Sequence, residues 1–350
     1  MTAKFLRFIF CFVFCPVLFA PKVYSQSQCQ PPPIVANANA FNIFNEQQET
    51  DWSHFGADNL IYVDFPKVEQ AERSIVTMNL NTGAIEPVHA VTEKNSRQYG
   101  QFLVSFKSNK EKSKEEPKKK SEQKSAADEE ENETVAFKDV TMEVRDTQTN
   151  AALWTRRFDE ERPSYGFNRT HGSLTLAWRI QTKAAKNIIK SDPALNAKLS
   201  AMQEKEGDFL FQFVEPKTGK ITGQFLLETG EGSFGIESVF AAGDNLVISD
   251  TTNRVLIYSI AQGTLRHRFF GGWAMINLPE NLIAVENEPG QLAIYDLTTG
   301  AEREKLRFGK PISFAQFSAD GKRLFVLTAN QTAFILDATK FASQTTNAVK

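Results

Sequence analysis

Leu292-Ala293-Ile294-Tyr295-Asp296-Leu297-Thr298-Thr299-Gly300 is an alternating apolar strand that runs into a turn. Asp opens such a turn by hydrogen bonding its own backbone two residues on. Gly closes it by taking the positive φ that a tight hairpin demands. The alternation on either side expects one buried strand face. Residues 75–83, 142–150, 211–219 and 256–263 carry the same signal, and 333–340 carries a weaker copy. Asn150 stands where the other turns have Gly.

The closing glycines at 219, 263 and 300 are 44 and 37 residues apart. Positions 83, 150 and 219 are 67 and 69 apart, and each of these long gaps holds one insertion. Lys107–Thr134 is a Lys/Glu/Ser tract of about 28 residues, and 182–206 is a helix-like stretch of about 25. Without them the period returns to about 40. Upstream of the hairpins lie further strand pairs, at 55–63, 239–248, 274–285 and, most sharply, 312–326 around Asp320-Gly321. Four short strands in about 40 residues is the period of a propeller blade.

Phe317-Ser318-Ala319-Asp320-Gly321-Lys322-Arg323-Leu324 resembles the F-S-P-D-G-K-x-L segment of WD-repeat and YVTN-type propellers. Val144–Trp154 resembles the A-x-D-x-x-T-G-x-x-x-W motif of quinoprotein-like (PQQ-type) propellers, with Asn150 for Gly. The resemblance covers about residues 50–345 and implies an exported bacterial β-propeller. The WD dipeptide and the Gly-His pair of strict WD repeats are missing. The expected fold class is therefore all-β, a single-domain propeller over 51–346 of about six four-stranded blades. The blades start near Asp51, Arg97, Ser164, Phe234, Trp273 and Ile312, and a seventh would have to be hidden among them. The last blade lacks an outer strand, which residues 41–50 are expected to supply, because an open edge invites aggregation.

The ends of the chain read differently. Lys4 and Arg7 precede an apolar run, Phe8–Ala20, and Val23-Tyr24-Ser25 offers a cleavage site. That is the pattern of a secretory signal peptide over 1–25, with a retained anchor as the alternative. The run is shorter than the roughly 20 residues of a spanning helix, so no membrane span is expected after cleavage. Residues 26–50 read as a Pro/Asn/Gln-rich linker. Cleavage removes Cys11 and Cys15 and leaves Cys29 without an internal partner. The expected place is periplasmic or extracellular.

Composition excludes several classes. The 350 residues include 40 Lys+Arg and 42 Asp+Glu, a net charge of −2 that gives no footprint for nucleic acid. Loss of Lys4, Arg7 and Lys22 takes the charge to about −5. Phe is abundant at 29, and three Cys exclude a disulfide scaffold. The tract at 107–134, basic then acidic, is expected to be disordered, since it buries too little apolar area to offset chain entropy. In 182–206, Ser191 or Asp192 caps a helix with Pro193 in its first turn, and Leu195, Leu199 and Met202 form one apolar stripe.

No catalytic constellation emerges. His54, His89, His171 and His267 are scattered over the repeats, with no metal-ligand spacing, so neither a metal nor another cofactor is expected. No nucleophile elbow or P-loop is present. Asp146, Asp296, Asp320 and Asp337 fall in turns and are read as turn-formers. Trp154 and Trp178 are read as core. The loops entering each blade's first strand carry Trp52, His54, Arg97, Tyr99, Tyr165, Arg169, Phe234 and Trp273, residue types that dominate binding hot spots. The favoured reading is a monomeric, non-enzymatic module that binds or scaffolds another envelope or secreted protein. The alternative is a propeller enzyme, hydrolase-like, lactonase-like or oxidoreductase-like, acting on a small molecule at the central channel. For that reading the entry loops offer His54, Glu237 and His171.

Overall fold

A computed structural model describes strands at 40–42, 52–55, 60–66, 73–79, 85–87 and 96–99, then 102–109, 138–146, 149–167 and 173–342 without 231, 233 and 331; side chains are described from Tyr99 onward. A short strand, β1 (Ala40–Asn42), comes first. The first sheet holds β2 (Trp52–Phe55), β3 (Leu60–Pro66), β4 (Arg73–Asn79) and β5 (Ile85–Pro87). The second holds β6 (Ser96–Tyr99), β7 (Phe102–Ser108), β8 (Lys138–Asp146) and β9 (Ala152–Glu161). The third holds β10 (Ser164–Phe167), β11 (Leu174–Arg179), β12 (Phe209–Val214) and β13 (Ile221–Leu227). Two helices, α1 (Lys183–Ser191) and α2 (Pro193–Ala201), interrupt it between β11 and β12. The fourth holds β14 (Ile236–Ala242), β15 (Asn245–Asp250), β16 (Arg254–Ser259) and β17 (Leu265–Phe270). The fifth holds β18 (Ala274–Asn277), β19 (Leu282–Glu288), β20 (Gln291–Asp296) and β21 (Glu302–Arg307). The sixth holds β22 (Ile312–Phe317), β23 (Arg323–Thr328) and β24 (Thr332–Asp337), and a short α3 (Thr339–Ala342) follows.

The first five sheets are antiparallel meanders in chain order, which is the propeller-like arrangement. The sixth is completed by β1, with Ala40 opposite Phe334 and Asn42 opposite Thr332. The completing strand thus overlaps the expected 41–50 only at its start, and it lies inside the stretch read as linker. The weak copy at 333–340 ends in α3, and among the described residues no second strand of its own follows.

The core lies between consecutive sheets. Leu246 and Ile248 on β15 join Phe209, Phe211 and Phe225 of the third sheet. Val247, one residue between them, joins Ile283 and Val285 of the fifth. Successive side chains on a strand point to opposite faces, so here both faces are buried. The same holds for β12, which is buried along its whole length. The single buried face expected from alternation therefore applies only to outer strands such as β9, whose residues alternate between exposed and half-buried. Phenylalanines of β12 and β13 fill the layer between the third and fourth sheets, which accounts for several of the 29.

The turns have the expected chemistry. Gly219, Gly263 and Gly300 have φ of 69°, 70° and 71°, and Asn150 has 55°. Asp296 accepts from the Thr298 and Thr299 amides at 3.0 and 2.7 Å. Asp146, Asp320 and Asp337 accept equivalent turn bonds. Next to four of these hairpins the ladder slips by a residue, as at Ile257/Tyr258 and Ile294/Tyr295.

Two joints between sheets reuse the turn glycine. The Trp154 indole on β9 donates to the Pro216 carbonyl at 2.6 Å, and Arg156 donates to the Gly219 carbonyl at 2.6 Å. A Cβ on Gly219 would meet the indole ring at 2.7 Å. Trp154 is thus half-buried at a joint, whereas Trp178 is buried core. On β17, His267 Nε2 lies 3.1 Å from the Thr298 carbonyl, and a Cβ on Gly300 would meet its ring at 2.7 Å. The equivalent position on β13 is Gly223, four residues after the turn glycine. There Lys198 of α2 comes in, its Nζ 4.8 Å over the Phe225 ring and donating to the Leu226 carbonyl at 2.8 Å.

Candidate functional site

The charged tract begins later than Lys107. Lys107 and Ser108 belong to β7, and the Lys107 ammonium bonds Glu143 at 2.6 Å. The root is closed by Asn109, whose amide donates to Asp139 at 3.0 Å. Residues 110–137 lie outside the described residues, as do 1–39 with the signal-peptide reading. The register places Ser108 opposite Val140 and Lys138 opposite Glu161, so both roots sit at the C-terminal end of β9.

The helical insertion packs at that same end. Thr182 caps α1 by accepting from the Ala185 amide at 3.3 Å, and Glu161 accepts from the Ala184 amide at 3.2 Å. Lys183 pairs with Glu160 at 2.5 Å. Asp192 caps α2 as expected, accepting from Ala194 and Leu195 at 2.9 and 3.1 Å, with Pro193 as its first residue. Ala185, Ile189 and Leu195 are buried with the core of the second and third sheets. Lys183, Lys186 and Lys190 share the opposite face of α1, at i, i+3 and i+7, and all are exposed. The chain returns through Asp208, fully buried, which accepts from the Lys205 and Thr229 amides at 2.9 and 2.8 Å.

Between this insertion and the fourth sheet is an open cleft of about 470 Å³. Arg179, Gln181 and Glu206 form one wall, and Phe234, Gly235 and Thr251 face them. The Arg179 guanidinium lies 5.3 Å over the Phe209 ring and donates to the Glu206 carbonyl at 2.7 Å. Gln181 donates to the Lys205 carbonyl, and its buried Oε1 accepts no hydrogen bond. The Thr251 amide donates to Gly235 at 3.2 Å, which holds the two lips of the far wall together.

The sequence candidates are placed as follows. Trp52 and His54 are on β2 and Arg97 on β6, with side chains outside the described residues, as is Arg169. Tyr99 stacks on Phe167 at 4.8 Å and meets Tyr165 edge-on at 6.1 Å, so these two are brought together as a wedge between the second and third sheets. Phe234 is 2% exposed and belongs to the cleft's far wall. Trp273 is half-buried against the core of the fifth and sixth sheets and donates its indole proton to Glu286. Burial pushes the Glu286 carboxyl above its usual value, against the opposing effect of hydrogen bonds from Gly290, Trp273 and Ile312. Of the other channel candidates, Glu237 is exposed on β14. Arg179, Gln181 and Glu206 carry no sequence signal of their own; only the capping motif nearby marks the segment that brings them together.

Among the described residues no group of three or more His, Cys, Asp or Glu is placed to hold a metal ion. No helix among them is long and apolar enough to cross a membrane. No protein-family model matches the chain, and no curated protein does. Solved structures with a similar trace include a chain of the Mitotic Checkpoint Complex, at 10% identity over 88% of this chain and 95% of that one, with a TM-score of 0.41. Kluyvelomyces marxianus Hsv2 matches at 9% identity over 83% and 73%, with a TM-score of 0.41. The computationally designed Ika8 protein matches at 11% over 82% and 70%, with a TM-score of 0.38. At that level of likeness the fold rests on the sheet order and registers alone.

Proposed function

We propose that the protein is an exported, non-enzymatic interaction module, a closed propeller of six blades that docks another envelope or secreted protein. Closure is supported by β2 lying beside β22 and by β1 completing the sixth sheet. The observation that carries the docking reading is the helical insertion. Its inner face is anchored in the core, and its outer face displays Lys186 and Lys190 beside the roots of the charged tract. A partner with an acidic surface complements that face, with attraction that weakens in salt.

The test is capture from a cross-linked envelope extract, with the chain from Gln26 as bait and mass spectrometry as readout. A stoichiometric partner lost on K186E/K190E, with the melting curve unchanged, is the expected result. Equal capture by the variant, or no partner above background, overturns the docking reading. Amino-terminal sequencing of the exported protein tests cleavage after Ser25.

A further inference from the structure

We infer that the cleft between the helical insertion and the fourth sheet is a binding site for a small zwitterion, an amino acid or short peptide bearing one ammonium and one carboxylate.

The lining groups set that chemistry. Arg179 is held in place by the Phe209 ring and by one bond to the Glu206 carbonyl, so its guanidinium is pre-organised to meet a carboxylate. Gln181 is fixed through its amide nitrogen by the Lys205 carbonyl, and its Oε1 is buried with no donor. That oxygen has almost no accessible surface, so Gln181 shapes the wall and takes no bond from the cleft. Glu206 adds an exposed carboxylate to the same wall, an acceptor for an ammonium. Cation and anion thus line one wall, complementary to a molecule carrying both charges. The facing wall of Phe234, Gly235 and Thr251 carries no charge. At about 470 Å³ the cleft falls in the range of small-molecule sites.

The pre-organisation comes from the fold. Arg179 ends β11, and Glu206 is on the return segment that Asp208 pins. The insertion therefore creates the cleft as well as the lysine face, and the two are separable by mutation.

Calorimetric titration of the full chain with leucine, Leu-Gly, N-acetyl-leucine and leucinamide tests the assignment. Leucine or Leu-Gly is expected to bind, and the better of the two identifies a free amino acid or a short peptide as the source. Blocking the ammonium or the carboxylate is expected to weaken binding about tenfold or more. R179Q should erase the difference between leucine and leucinamide while the melting curve stays unchanged, a pattern that a structural role does not produce. E206Q should likewise erase the difference between leucine and N-acetyl-leucine. Equal binding of free and blocked probes, or no binding of either free probe, overturns the proposal.

Discussion

A Cβ placed on Gly166 would lie 1.6 Å from the carbonyl oxygen of Val239. The two residues sit on the first strands of the third and fourth sheets, so backbone meets backbone there with no room for a side chain. G166A should destabilise the protein by about 3 kcal/mol, since backbone must shift. G232A, where an added Cβ meets nothing within 4 Å, should stay within about 0.5 kcal/mol of the parent. Urea denaturation of both variants checks the contrast.

The joint between the second and third sheets is a pairwise contact and should behave as one. W154A is expected to cost about 2–3 kcal/mol through lost packing and the abandoned Pro216 carbonyl. G219A strains a φ of 69° and also strikes the indole ring. In the W154A background only the backbone strain remains. The double mutant should therefore be less destabilised than the sum, with a coupling of about 1 kcal/mol. Strict additivity would show that the ring does not bear on the glycine.

Asp296 gives an acid-side signature. Burial works to raise its pKa, but bonds from Arg303 and Thr299 outweigh that and hold it at about 2. The folded value lies below the unfolded one, so the stabilisation is present above the unfolded pKa. It is lost as pH falls from about 4 through about 2. The side chain is only 11% exposed, and the contribution is about 2 kcal/mol. Stability measured against pH should lose that amount in the window, and D296N should flatten the profile there.

Glu286 should act with the opposite sign. Its folded pKa is raised above 4.5, chiefly by burial. The folded state then binds the proton more strongly, so stability declines as pH rises from 4.5 through the raised folded value. Carboxyl-carbon NMR should show Glu286 titrating above 4.5. E286Q should remove that decline from the stability profile.

How much of this was legible depends on how local the signal is. The turn at 296–300 announced itself because Asp, Thr and Gly act within five residues, and Asn150 took its positive φ as read. Asp192 and Pro193 marked α2 for the same reason. Thr182 caps α1 without Pro or an acidic first turn to strengthen the signal, so the insertion read as one helical stretch and folded as two. Burial of both strand faces was not legible, because alternation reports polarity along a strand and not which neighbour covers it. The cleft was least legible of all. Arg179, Gln181 and Glu206 converge only because a detour of more than twenty residues returns to its starting point.

The sixth sheet joins the first and the last of the described strands, with Ala40 opposite Phe334. A polypeptide delivered from its amino terminus must therefore hold β1 in reserve until β24 has emerged. Contacts of such separation form slowly, because loop closure comes before any gain from pairing. Maturation accordingly finishes at a seam, and the newborn protein presents one unmatched edge that a chaperone has reason to guard.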